Sequence, residues 1–383
     1  MIYSLGEIAY VTKLAGFEYT KYLSGNFVIN GIPVIQGKNI KNHKLTLTDV
    51  KYISKDLSDS LTRSKIENND LLFCYVANVG DCWLNEHNLE LHLGSNIAKI
   101  RIISDKIMPK YLYYWFQNDS NYQYINKIAK GSVQKNINME EIRQLKVNIP
   151  SLDTQQHIVN IIGSIDDLIE SNYILIEKIK IYLKNIFDKW YLKANIKTTI
   201  NNCSINLVCG KTPSTKKQEY WGNDVPFITI PDMHNNVFIT QYERKLSKEG
   251  ANSQFNKFLP KNSICVSCIA TPGLVSLTSE NSQTNQQINS IICKNNISPF
   301  YLYLLLNSET LKQTIINLGS GGSATYNLNK NVFSNIEINI LNNEDMNSFH
   351  NDVKNIFEEI LYLYQKNIKL QKLKQKYLNK FFG

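Results

Sequence analysis

The chain is written twice. "GIPVIQGKNI" at 31–40 reads against "DVPFITIPDM" at 224–233, and "NDLLFCYV" at 69–76 against "KNSICVSC" at 261–268. "PKYLYYWFQNDSNYQYI" at 109–125 reads against "SPFYLYLLLNSETLKQTI" at 298–315, and "GSVQKNINMEEIRQLKVNIP" at 131–150 against "GSATYNLNKNVFSNIEINIL" at 322–341. The offset stays between about 190 and 193, so one duplication of roughly 190 residues accounts for all four pairs. That is too long for a solenoid repeat. Whatever the first half folds into, the second must fold into as well.

Each copy has the same order of patterns. Short apolar runs broken by Gly, Asn and Pro come first and read as strands and turns. An aromatic helix follows, at 109–125 or 299–316, then a Gly-Ser loop, then an alternating strand, "LKVNI" or "IEINI". Each copy closes in a long amphipathic helix. In the first, apolar residues recur at Ile158, Ile161, Ile165, Leu168, Leu175, Ile179, Tyr182 and Ile186, with a gap at Asn172. Steps of three and four over about four heptads are a coiled-coil stripe. Asn172 reads either as a register-setting core asparagine or as a tolerated polar edge. The second stripe holds Phe349, Val353, Ile356, Ile360, Leu363, Leu370 and Tyr377, and Asn367 interrupts it.

A stripe of about forty residues, some 60 Å at 1.5 Å per residue, wants a helix of matching length. The chain supplies one. For the second helix to bury its stripe on the first it must run back, so the pair is expected to be antiparallel with a pseudo-two-fold axis. The expectation is an α+β dumbbell: two α/β bodies, 1–150 and 196–341, and two spacer helices, 151–195 and 342–383.

Charge follows the same division. Residues 1–150 hold 18 Lys+Arg against 14 Asp+Glu, and residues 196–340 hold 12 against 8, so each body carries +4 of the total +9. Two basic bodies suit two contacts with a polyanion. No run of eighteen apolar residues exists, which excludes a membrane-spanning helix, and the N-terminus lacks a basic region and a cleavage site. Seven scattered cysteines point to a reduced, cytoplasmic compartment. Cys265 and Cys268 form a C-x-x-C inside an apolar run with no second pair at zinc spacing, and read as core residues.

Catalytic motifs are scarce. "GKTPST" at 210–215 has the tail of a phosphate-binding loop, but Ile205 stands where the leading glycine is required. Pro231-Asp232 followed by Glu243-Arg244-Lys245 matches the short pattern of metal-dependent nucleases; in the first copy Asn39 stands opposite Asp232. A methyltransferase site would need a glycine-rich cofactor loop and an Asn/Asp-Pro-Pro-aromatic segment, and neither occurs. The six histidines show no metal-binding spacing, so no metal ligands are expected.

The block "GKTPSTKKQEYWGNDVPFITIPDM" resembles the opening of a target-recognition domain in the specificity subunits of type I restriction-modification systems. "IPSLDTQQHIVNIIGSIDDLIESN" is similar to the segment that ends such a domain and starts its spacer helix. The resemblance runs over nearly the whole chain, although "VTKLAGFEYTKYLSG" replaces the Gly-Thr-Pro-Ser block in the first copy. It implies a non-catalytic subunit bound to double-stranded DNA, each recognition domain contacting one half of a bipartite sequence. The helices would set the unread gap and dock two methyltransferase subunits, with restriction subunits joining for cleavage. S-adenosylmethionine, ATP and Mg²⁺ are then expected on those partners and no cofactor on this chain.

Two loops are the candidate DNA contacts. Lys211, Thr212, Ser214, Thr215, Lys216, Lys217 and Tyr220 combine cations and hydroxyls suited to phosphate; the alternative is a surface loop pinned by a buried Trp221. The Gly-Ser loops offer Lys130, Ser132, Gln134, Lys135 and Asn136 in one copy and Ser320, Ser323, Thr325, Tyr326 and Asn327 in the other. Gln and Asn can read adenine and Lys guanine; the alternative is an ordinary turn. A coiled-coil scaffold that binds proteins alone is the rival reading from a different class.

Overall fold

The structure is a computed structural model that describes residues 1–131, 134–269, 271–319 and 328–383. It divides into two compact units, Met1–Ile169 with Leu370–Gly383, and Glu170–Lys369.

In the first unit the strands are β1 Ile2–Ser4, β2 Ala9–Lys13, β3 Ile32–Ile35, β4 Ile40–Lys41, β5 Lys44–Leu45 and β6 Lys51–Ile53. They continue with β7 Lys65–Ile66, β8 Leu71–Cys74, β9 Cys82–Leu84, β10 Leu91–Leu93, β11 Ile97–Ile102 and β12 Lys146–Asn148. Two four-stranded sheets result, in the orders β2-β11-β8-β9 and β6-β3-β10-β7, while β1 pairs β12 and β4 pairs β5. The sheet built on β8 and β11 is buried on both faces. Alternation sends Leu71, Phe73, Ala98 and Ile100 into one apolar cluster and Leu72, Cys74 and Ile97 into another. The aromatic helix Pro109–Gln117 covers the first face with Tyr111, Leu112, Trp115 and Phe116. Burial on both faces is why these strands read as short continuous apolar runs.

The second unit repeats the plan. Its strands are β13 Ile196–Thr199, β14 Ser204–Cys209, β15 Trp221–Ile228, β16 Phe238–Ile239 and β17 Arg244–Leu246. The remainder are β18 Ile264–Ser267, β19 Val275–Thr278, β20 Gln283–Thr284, β21 Ile288–Cys293 and β22 Glu337–Ile340. The orders are β14-β21-β18-β19-β16, β17-β15-β20 and β13-β22. The duplication survives at the level of individual ladders. The antiparallel pair Ile97–Cys74 becomes Ile288–Ser267, and the parallel pair Leu93–Ile35 becomes Thr284–Ile228. Cys265 falls in one apolar cluster and Cys268 in the other. Burial pushes their thiols up to about 12 and about 11. They are core residues on opposite faces of one run.

The helices Leu152–Tyr191 and Asn343–Phe382 each run forty residues, and no described helix is long and apolar enough to cross a membrane. Within each unit their segments pack antiparallel. In the first unit His157 meets Phe381, and Lys374 donates to both oxygens of Asp166 at 2.7 and 2.9 Å. In the second, Trp190 donates to Asp352 at 3.1 Å, Phe187 meets Phe349, and Asn172 donates to Asn367 at 2.6 Å. Both asparagines are buried, so Asn367 does not interrupt the stripe: it is the partner of Asn172 inside it.

Part of the stripe lies one residue from where spacing puts it. Ile158, Ile165, Asn172, Val353, Ile360 and Leu363 are buried as expected. Leu168 and Leu175, however, are 47% and 42% exposed, and Ile161, Ile179, Ile186, Ile356 and Leu370 are only half-buried. The buried residues are Ile162, Ile169, Ile176, Leu183 and Phe187, and in the second helix Phe357, Tyr364 and Leu378. The cause is a run of apolar doublets: Ile161-Ile162, Leu168-Ile169, Leu175-Ile176, Tyr182-Leu183 and Ile186-Phe187. Three-four and four-three steps are equally good heptads, so spacing accepts either member. Gln155 is fully buried at the helix start. Its side chain takes the Met108 N–H and donates to the Lys106 carbonyl, holding the face that carries Ile162 and Ile169 inward.

The asparagine pair yields a prediction. Asn172→Leu alone faces an apolar side chain against the buried Asn367 amide and should lower stability by about 1–3 kcal/mol. Asn172→Leu with Asn367→Leu should recover most of that loss. Urea unfolding of the two single variants and the double variant measures the coupling.

Candidate nucleic-acid interface

The loop that opens with "GKTPST" leaves the end of β14. Gly210 donates its N–H to the Ile288 carbonyl and Lys211 donates to the Thr284 carbonyl, at 3.1 and 2.9 Å. A Cβ at Gly210 would lie 2.0 Å from the Asn285 carbonyl oxygen and 2.3 Å from the Thr284 hydroxyl. The glycine is there for a close backbone crossing, not for a phosphate. The Lys211 carbonyl takes a bond from the buried Gln254 amide, and the Thr212 hydroxyl donates to Gln286 at 2.6 Å.

Trp221 pins the far side of the loop. Its indole N–H reaches the Ser214 carbonyl at 3.4 Å, and the Arg244 guanidinium lies 3.5 Å from the centre of its ring. Tyr220 accepts from Lys217 at 3.1 Å, and the same ammonium sits over its ring. Trp221 is half-buried rather than fully buried. Between the two anchors Lys211, Ser214, Thr215, Lys216 and Lys217 stand exposed. Among the described residues, none of the three lysines forms a salt bridge, although Tyr220 and then the Glu219 and Glu249 carboxylates act on Lys217.

In the first copy the corresponding stretch, 14–30, has different chemistry. A helical turn, Gly16–Glu18, runs into a π-helical turn, Tyr19–Leu23. The Glu18 carboxylate is buried; the Ala15 N–H donates to it at 3.1 Å and the Ser64 hydroxyl at 2.8 Å. At the foot of the first Gly-Ser loop, Lys130 and Asn136 exchange both backbone bonds at 2.8 Å. Gly131 has φ +109°, and a Cβ there would lie 2.3 Å from the Gln134 carbonyl oxygen, so only glycine fits at this position. Gln134, Lys135 and Asn136 are exposed, but the Lys130 ammonium is paired with Glu141 at 2.9 Å. Ser132, Ser320, Ser323, Thr325, Tyr326 and Asn327 lie outside the described residues.

Both candidate segments start from the same end of each unit's doubly buried sheet. In the second unit, Leu328 at the foot of the Gly-Ser loop donates to the Cys268 carbonyl, and Cys268 donates to the Gln287 carbonyl. Gln287 adjoins Gln286, the partner of Thr212. In the first unit Ile137 donates to the Tyr75 carbonyl, and Lys13, which precedes the 14–30 segment, lies over the Tyr75 ring. Gln254, Gln286 and the Arg244–Trp221 stack were invisible to motif reading. The one available signal was the recurrence of polar residues where β20 and β21 meet.

Asp232 has a structural task. The Thr229 N–H and hydroxyl both donate to one carboxylate oxygen at 2.8 Å, and the Glu243 N–H donates to the other at 3.0 Å. Asn39 does the same work in the first copy, taking the Gln36 N–H at 3.0 Å. An amide that serves as well as a carboxylate marks a cap, and no group of three or more metal-ligating side chains occurs among the described residues.

These features can be set beside known proteins. The family described as "Type I restriction modification DNA specificity domain" matches residues 1–181 and 203–345. The specificity subunit of the type I restriction enzyme HindI of Haemophilus influenzae is 29% identical, over 96% of this chain and 92% of its own length. The MjaIX specificity subunit of Methanocaldococcus jannaschii is 33% identical over 34% of this chain and 30% of its own. The crystal structure of the type I restriction-modification S subunit from M. genitalium shares the fold, with a TM-score of 0.58 and 13% identity over 100% of this chain and 96% of that one. With most of its length matched by the family and a curated relative aligned from end to end, this chain is a member of the type I restriction-modification DNA specificity family.

Proposed function

We propose that this chain is the sequence-reading subunit of a cytoplasmic type I restriction-modification complex, and that each unit reads one half of a two-part DNA target. The observation that carries this is the duplication itself. Two units keep the same ladders and the same loop-bearing end, yet differ in the residues displayed there, so they suit two different half-sites. The chain acts without catalysis of its own; methyl transfer and cleavage belong to the partners. The loop 210–217 contributes phosphate contacts through Lys211, Lys216 and Lys217. In each unit the Gly-Ser loop brings amide and hydroxyl groups to base edges.

The paired helices set the number of base pairs left unread and dock two methyltransferase subunits. Support comes from what the helix core leaves over. Leu168, Ile174, Leu175, Ile181 and Tyr182 are large apolar residues exposed along one helix. A solvated helix gains nothing from them, whereas a partner helix would bury them.

Two outcomes are expected. Co-expression with the methyltransferase subunit of its system, followed by long-read mapping of modified adenines, should show a two-part motif with a fixed gap that disappears without this chain. A stable complex without chain-dependent methylation would favour a scaffold instead. Lys211→Glu, Lys216→Glu and Lys217→Glu together should weaken DNA binding and flatten its dependence on salt, by about 0.9 in log–log slope for each phosphate that is no longer neutralised. An unchanged slope in a titration from low to physiological salt removes this loop from the interface.

A further inference from the structure

The two units do not present the same kind of surface at their loop-bearing ends. Between β14 and β15 the second unit shows hydroxyls and lysines. Between β2 and β3 the first shows hydrocarbon. Leu14, Leu23 and Phe27 turn inward against Ile32, Val34 and Ile53. That leaves Phe17 63%, Tyr19 38% and Ile29 90% exposed. Large apolar residues left in water on one short segment mark a contact surface.

The charge around them says what they meet. Residues 14–30 contain one carboxylate, Glu18, and it is buried beneath the segment. The one charge the segment shows to solvent, Lys21, is therefore positive, and Lys13 and Lys51 flank it. Lys13 lies over Tyr75, Lys21 over Tyr22 and Lys51 over Phe27, at 5.5, 5.1 and 4.6 Å from the ring centres. An apolar segment with lysines beside it fits a polyanion with hydrocarbon in its groove. In the major groove only thymine offers that, through its 5-methyl group.

We propose that Phe17, Tyr19 and Ile29 form an apolar reading surface by which the first unit contacts thymine methyl groups in its half-site, in contrast to the polar reading of the second unit. The inference rests on the DNA-recognition function above and names the chemistry by which one half of the target is selected.

The test uses the chain in complex with its methyltransferase and duplexes carrying the mapped motif. Deoxyuridine replaces each thymidine in turn, which removes the methyl group and keeps the base pair. Binding is read by fluorescence anisotropy. The wild-type complex should lose about four-fold in affinity for each contacted methyl removed, in one half-site only. Phe17→Ala with Ile29→Ala should bind the thymidine and deoxyuridine duplexes alike, and Phe17→Leu with Ile29→Val should keep the discrimination. Both pairs alter exposed residues, and melting temperature checks their folding. The proposal falls if no deoxyuridine substitution matters, if the alanine variant keeps the wild-type ratio, or if that variant weakens both duplexes by the same factor, as a wedge between base steps would. Sequence-specific binding without methyl sensitivity removes this inference alone. Absence of sequence-specific binding removes the recognition function with it.

Discussion

Burial of the central sheet on both faces is the constraint from which the rest of each unit follows. With Leu71 and Phe73 packed one way and Leu72 and Cys74 the other, both faces of the central strands are committed to packing. The same holds for Ile264 and Cys265 in the second unit. The polar side chains the strands do hold inside, such as Lys99, Ser276 and Asn289, are spent on backbone carbonyls, and the loops leave from the strand ends. There the backbone must turn anyway, and its unpaired groups need side-chain or solvent partners. The Gly-Ser loop and the segment after β2 or β14 are anchored at one such end, through Tyr75 in one unit and Cys268 in the other. A rigid, apolar interior thus concentrates the variable chemistry in one place, and the duplication supplies that place twice.

The repeat, the element order and the forty-residue helices could be read from spacing, because burial imposes periods of 2 and 3.6 on the chain. The inward member of each apolar doublet could not. Leu168 and Ile169 are interchangeable in any heptad count, and only the packed structure distinguishes the buried Ile169 from the exposed Leu168. Asn172 read as polar in an apolar row; that Asn367 answers it needed three-dimensional placement.

The candidate interface was legible in outline and blank in detail. Hydroxyls and lysines in "GKTPSTKK" are visible as letters, but the features that shape the loop come from remote positions: Gln254, Gln286, and Arg244 over Trp221. In the first copy nothing in "LAGFEYTKYLSG" announces that its acid will be buried and its aromatics left outside. Asp232 shows the opposite error. A carboxylate near Glu243 and Lys245 suggests chemistry until its oxygens are found occupied by the backbone they cap.

The doublets along the first long helix put two apolar rows on one rod, a single residue and so about 100° out of step. One row is consumed within the units and the other is left in solvent. Fold stability and surface adhesion are thereby written on different letters of the same helix. A substitution at Ile169 or Ile176 changes whether the helix packs, and a substitution at Leu168 or Leu175 changes what the surface can hold. On the docking proposed above, the outer row would carry the choice of companion while the inner row holds the helix in place.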